Sequence, residues 1–156
     1  MSVNFVCRTE LETTIHESFD LARSIDLHVD SMSHSNERAI GGVTSGLISE
    51  GEEVTWRARH FGIPFQMTSR ITRLEAPNSF VDEQVHGPFR SFRHEHTFVD
   101  HDGRTAMIDR VEFSAPFGVL GRLAEKLVLA RYLRRLIEAR NQFLVTEALR
   151  IRRTNG

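Results

Sequence analysis

Two histidines spaced two residues apart, with an aspartate of matching parity on the next run, are the residues of this chain best suited to chemistry. In Phe92-x-His94-x-His96-x-Phe98, strand alternation puts both imidazoles on one face together with two aromatic rings. After the turn Asp100-His101-Asp102-Gly103, the following run sets Thr105, Met107, Asp109, Val111 and Phe113 on one side. Imidazole titrates near neutrality and a neighbouring carboxylate can orient it, so His94, His96 and Asp109 are candidates for general acid–base work. The same faces are otherwise apolar. That composition suits a ligand pocket, in which apolar walls supply affinity and sparse polar groups supply orientation. The plainer alternative is a half-buried sheet whose histidines are satisfied by hydrogen bonds to their neighbours.

Other residues join the cluster by parity. Val54, Trp56, Ala58 and His60 share one face of an earlier run, so Trp56 and His60 add to it if that face is concave; a one-residue bulge would reverse the assignment. His94 and His96 with His60 would also offer three imidazoles to a metal. His-x-His alone is a weak signal, and no metal and no cofactor are assigned.

Composition narrows the chemistry further. Lys126 is the only lysine, which leaves a Schiff-base mechanism a single residue to use, and Cys7 is the only cysteine, which excludes an intrachain disulfide. A net charge of −1 argues against a general nucleic-acid binder. Basic charge is nevertheless uneven: nine basic and three acidic residues lie between Arg122 and Arg153. The segment MSVNFVCRTE has neither a basic n-region nor an apolar h-region, so a cytoplasmic location is the default expectation. At 156 residues the chain is expected to form one domain, 1–156, with a core that needs no staples.

These residues need a scaffold. Val3 to Leu11 reads as a strand, and Thr14-Ile15-His16-Glu17 fits a capping box opening a short helix to about Ile25. Asp26 to Asn36 reads as a loop or second short helix. Six strand-like runs follow: 37–46, 53–61, 65–74, 79–86, 90–100 and 104–114, separated by turn signals, which indicates an antiparallel meander. Leu120, Leu123, Ala124 and Leu127 make one helical stripe and Leu129, Leu133, Leu136, Ile137, Phe143, Leu144, Ala148 and Ile151 another on the opposite side, so the pattern predicts a short helix at 119–127, a break, and a long helix to about Arg150. Arg140 falls inside the second stripe. A guanidinium there needs a partner, with Asp109 the first carboxylate to name, unless it snorkels out to water.

This order resembles the helix-grip fold, and the motifs resemble the START-like (SRPBCC) superfamily, within it the bacterial cyclase/dehydrase-like ligand-binding group. The motifs that carry the likeness are Gly51-Glu52-Glu53-Val54-Thr55-Trp56, His60-Phe61-Gly62, Gly87-Pro88-Phe89, Phe92-x-His94-x-His96-x-Phe98, Thr105-x-Met107-x-Asp109-x-Val111 and Pro116-x-Gly118-x-Leu120-Gly121. The resemblance implies an α+β fold with a seven-stranded curved antiparallel sheet around a long C-terminal helix, short helices between strands 1 and 2, and a cavity between sheet and helix.

Members of such a superfamily bind lipids, quinones or polyketides, and some catalyse cyclisation or dehydration, so the site must decide. The reading that follows is a binder of a small hydrophobic molecule, held by Trp56, His60, Phe92, His94, His96, Phe98, Met107, Asp109 and Arg140, as monomer or homodimer. The alternatives are a cyclase/dehydratase using a His/Asp pair without a covalent nucleophile, and a non-catalytic module touching a partner or, peripherally, a membrane through Phe117, Val119 and Leu120.

Overall fold

The computed structural model describes residues 2–115 and 128–156. Seven strands, β1 (Val3–Leu11), β2 (Arg38–Gly42), β3 (Glu53–His60), β4 (Ile63–Glu75), β5 (Ser79–His86), β6 (Ser91–His101) and β7 (Arg104–Ser114), form one antiparallel sheet ordered β1-β7-β6-β5-β4-β3-β2. Sequential hairpins explain the order from β2 to β7, and β1 closes the far edge by pairing with β7 from Val3↔Phe113 to Leu11↔Thr105. Register shifts interrupt the ladder at Ala39/Gly41, Thr68/Ser69 and Ile71/Arg73. Each such bulge bends its strand and increases local twist, which curls the sheet into a concave wall.

Helices α1 (Ile15–Arg23) and α2 (Ile25–Ser31) connect β1 to β2. The capping box at the start of α1 is complete: the Glu17 amide donates to Thr14 Oγ1 and the Thr14 amide donates to the Glu17 carboxylate. Ser24 ends α1 in an extended conformation and its hydroxyl caps α2, so the helix expected to reach Ile25 stops two residues earlier and a second one begins. The expected strand 37–46 is also shorter, ending at Gly42. There the backbone turns to φ 68° and a Cβ would sit 2.1 Å from the Glu53 carbonyl oxygen.

The C-terminal helix, α3 (Ala130–Asn155), lies in the concavity. Its buried residues Arg140, Asn141, Leu144 and Ala148 repeat at helical spacing, and Leu133 and Ile137 continue that face against Phe5, Val111 and Phe113. The helix runs five residues past the predicted end at Arg150, where Arg152 pairs with Glu12. The short helix predicted at 119–127 and the Phe117-Val119-Leu120 tip lie outside the described residues, as does Lys126.

The core has two parts. Under α1, the Phe19 ring meets Phe80 and Phe98 edge-on, with centroids 5.5 and 5.4 Å away, together with Leu11, Met107 and Leu144. Such ring pairs add ~0.5–1.5 kcal/mol each beyond area burial. The second part, Phe5, Cys7, Val111 and Phe113, packs at the other end of β1 and β7. Among the described residues no helix is long and apolar enough to cross a membrane.

Candidate functional site

Alternation along β6 buries His94, His96 and Phe98 on one face and half-buries Phe92 beside them, as the spacing predicts. Register then decides which groups they meet. On β5, Asp82 stands directly opposite His94 and Phe80 opposite His96; on β7, Val111 stands opposite His94 and Asp109 opposite His96. Two imidazoles are thereby bracketed diagonally by two carboxylates. The rings stack with centroids 3.8 Å apart, and Phe80 stacks on the far side of His96 at 4.1 Å.

The hydrogen bonds follow these diagonals. His94 Nε2 lies 2.7 Å from Asp109 Oδ1, and His96 Nε2 lies 2.9 Å from Asp82 Oδ2. His96 Nδ1 is also 3.1 Å from Asp109 Oδ1, and His94 Nδ1 is 4.0 Å from Asp82 Oδ2. Arg140 enters from α3: one terminal nitrogen donates to Asp109 Oδ1 at 3.2 Å and to Asn141 Oδ1, the other to the Ala22 carbonyl and, at 3.5 Å, to His96 Nδ1. Asn141 Nδ2 donates to Asp109 Oδ2 at 2.7 Å and to Thr9 Oγ1. Asp109 is 0 % exposed and Arg140 3 %, so the guanidinium is the paired, buried form of the two weighed from sequence, and the snorkelling alternative is set aside.

Electrostatics reflect this packing. Burial alone raises the Asp109 carboxyl, but the Arg140 guanidinium and the histidine hydrogen bonds outweigh it and hold the group well below the usual carboxylate value. Asp82 behaves alike: burial opposes ionisation, and the hydrogen bond from His96 with the neighbouring positive charges brings its value down. His94 is lowered, first by burial and then by His96, against the pull of the two carboxylates. Burial raises the Cys7 thiol despite Arg134 nearby, so the chain's one cysteine is not an activated nucleophile.

The cluster sits at the wall of a cavity of about 600 Å³ between the sheet, α2 and α3. That volume lies within the ~300–1,000 Å³ usual for small-molecule pockets. Trp56, His60, Phe92, His94, His96 and Arg140 line it, as expected from sequence. Phe98, Met107 and Asp109 do not: Phe98 and Met107 fill the core under α1, and Asp109 stands behind the histidines, which screen it from the hollow. Alternation correctly gave their face. It could not tell a part of that face covered by α1 from a part left open.

His60 is also separated from the other two histidines. Its Nδ1 is 2.6 Å from the Tyr132 hydroxyl on α3, and burial lowers its proton affinity, so it does not complete the three-imidazole set. Asp82 takes that place: its carboxylate and the His94 and His96 nitrogens lie within 4.8 Å of one another. Sequence reasoning passed over Asp82, although parity along 79–86 groups it with Phe80 and Gln84. It also passed over Asn141, and over His28, which packs on the Trp56 indole at 4.3 Å and pairs with Glu37. Ser69, on the cavity wall, has a buried hydroxyl without a hydrogen-bond partner among the described residues.

A curled antiparallel sheet gripping a terminal helix over a hollow defines the helix-grip class. Solved structures share it: the protein TTHA0849 of Thermus thermophilus aligns with a TM-score of 0.78 at 11% identity, covering 96% of this chain and 99% of that one. The Zhui aromatase/cyclase of Streptomyces sp. R1128 aligns at 0.77 and 16% identity, covering 100% and 99%. Major latex-like protein 151 of Panax ginseng aligns at 0.69 and 13%, covering 95% and 98%. No curated protein matches the sequence. The model of the polyketide cyclase/dehydrase and lipid transport family matches residues 33–139, and the chain belongs to that family. The START-like resemblance drawn from the motifs is thus borne out, and so is the helix-grip architecture.

Proposed function

We propose that this protein binds a small, mainly apolar molecule with a polar end directed at the His94/His96/Asp82/Arg140 corner of the cavity. The observation that carries the reading is the cavity itself: its walls are formed by Trp56, Phe65, Met67, Phe92 and Leu133, with polar groups gathered at a few points. Apolar burial there contributes ~25 cal/mol per Å², while the buried cluster and the orphan Ser69 hydroxyl supply partners for a carbonyl, hydroxyl or carboxylate. The family's range, from polyketide cyclases to lipid carriers, supports a ligand of this kind.

Trp56 is the only tryptophan and lines the cavity, so its emission reports occupancy. Titration with fatty acids, quinones and aromatic polyketides is expected to give a saturable change for at least one class. Ala58→Phe, which fills the hollow from β3, is expected to weaken that ligand at least 10-fold. Binding unchanged in Ala58→Phe, or no response to any class, would remove the proposal.

A second reading has a specific observation behind it. The 2.7 Å contact between His94 Nε2 and an ionised, anchored Asp109 holds an imidazole in one orientation at the cavity wall, as a general base for cyclisation or dehydration requires. A linear poly-β-keto substrate analogue turned over by wild type and not by His94→Gln, with both binding it equally, would establish catalysis.

A further inference from the structure

The hydrogen-bonding pattern around Asp109 leaves two imidazole nitrogens aimed at Asp82. A carboxylate only accepts, so His94 Nε2, 2.7 Å from Asp109 Oδ1, presents N–H to it; His96 Nδ1 lies 3.1 Å from the same oxygen and 3.5 Å from an Arg140 terminal nitrogen that donates to it, so His96 carries its proton on Nε2, facing Asp82, and an ion bound there displaces that proton. The opposite nitrogens, His94 Nδ1 and His96 Nε2, face Asp82 Oδ2 at 4.0 and 2.9 Å. We infer that Asp82, His94 and His96 form a binding site for one divalent first-row transition ion, such as Zn²⁺ or Fe²⁺. The site opens on the cavity.

Four observations carry this assignment. Two nitrogens and one carboxylate are a donor set that such ions take, and the three donor atoms converge within 4.8 Å. Two donors each ~2.1 Å from a common ion stand about 3 Å apart, which the His96–Asp82 pair already meets; His94 Nδ1, 4.0 Å from Asp82 Oδ2, has to draw in by about 1 Å on binding. An outer layer stands behind the donors: Asp109 accepts from His94 Nε2, lies 3.1 Å from His96 Nδ1 and is itself held by Arg140 and Asn141, as the carboxylate partners of metal-bound histidines are. Finally, Asp82 is 20 % exposed and lines the cavity, while His94 and His96 are buried on its wall, so an ion there keeps coordination positions free for water or a ligand oxygen.

Charge favours occupancy as well. Asp82 and Asp109 bring two negative charges against the single positive charge of Arg140, and the surplus lies where the three donors meet. A proton shared by the two imidazoles is the competing way to cancel it, and the experiment separates the two. The inference does not depend on which apolar molecule occupies the cavity.

The 156-residue chain, stripped with a chelator, is titrated with Zn²⁺ by calorimetry and with Co²⁺ by visible absorption. One ion per chain is expected, and the Co²⁺ adduct should show d–d bands without the intense charge-transfer band of a thiolate ligand. Asp82→Asn is expected to weaken binding roughly 100-fold or more, beyond the usual cost of losing an outer-layer partner, whereas His60→Gln should leave it unchanged. Imidazole ¹⁵N spectra of the wild-type chain provide a readout that needs no variant: Zn²⁺ should shift His94 Nδ1 and His96 Nε2 and leave His60 in place. Absence of binding at millimolar ion, equal affinity in Asp82→Asn, or ¹⁵N shifts confined to other histidines would overturn the site and leave the shared proton as the account of the cluster.

Discussion

Asp109→Ala tests whether the buried polar cluster is one interdependent unit. The aspartate is wholly inaccessible and accepts from Arg140, Asn141 and His94, with His96 Nδ1 3.1 Å away. Removing it leaves a guanidinium, 3 % exposed, with the Asn141 side-chain oxygen, the Ala22 carbonyl and His96 Nδ1, all uncharged acceptors, in place of the carboxylate. Breaking a buried pair by deleting one partner costs ~3–5 kcal/mol. Against a total stability of about 5–15 kcal/mol that is a large fraction, and at ~2–4 °C per kcal/mol for a domain of this size it lowers Tm by roughly 6–20 °C. Asp82, which senses the Arg140 charge, moderates the loss, so the lower half of that range is expected.

Urea unfolding, followed by circular dichroism and Trp56 emission, measures the change as a shift of midpoint at constant slope. Arg140→Met and the double variant complete the cycle. With both charges gone the penalty for an unpaired ion disappears, so the double variant should recover a substantial part of the loss, with a coupling energy of about 2 kcal/mol or more. A single-variant loss below ~1 kcal/mol, or losses that simply add in the double variant, would refute the claim that the two groups depend on one another.

Two further outcomes are expected. Because burial lowers the His60 value in the folded chain, the unfolded ring takes up a proton first as pH falls through ~6.5; its contribution to stability is therefore full above that pH and declines below it, levelling off once the folded ring also protonates. Urea midpoints at pH 7.5 and 5.5 should accordingly differ less in His60→Gln than in wild type, and parallel pH profiles for the two would contradict the assignment. Gly42→Ala places a Cβ 2.1 Å from the Glu53 carbonyl oxygen at φ 68°, so it is expected to cost about 1–3 kcal/mol in the same unfolding assay. A variant as stable as wild type would show that the β2 terminus does not hold that conformation.

The elements were largely legible because local patterns determine them. Alternation placed β5 and β7 at their observed bounds and β6 within one residue, the Thr14/Glu17 spacing located the start of α1, and the stripe containing Arg140 marked the face of α3 that turns inward. Where local signals competed, the boundaries moved. Ser24 could continue one helix or cap the next, and its hydroxyl is used as a cap; Gly42 ended β2 where the chain alone left the strand running to Gly46.

Site membership was less legible. Parity assigned Phe98, Met107 and Asp109 to the correct face, but the cavity occupies only the part of that face that α1 and the Phe19 cluster leave uncovered. His60 shares a strand parity with Trp56, yet β4 and β5 lie between β3 and β6 and its ring turns to Tyr132.

The primary structure by itself determined the class of fold and the kinds of groups on its concave surface, because side-chain direction follows from a two-residue repeat. Only the tertiary structure decided their partners. The register of β5, β6 and β7 brought Asp82 and Asp109 to opposite sides of His94 and His96, and the seating of α3 brought Arg140 and Asn141 onto Asp109. Those contacts join residues distant in the chain, and their geometry depends on register and helix placement that no short stretch of sequence encodes.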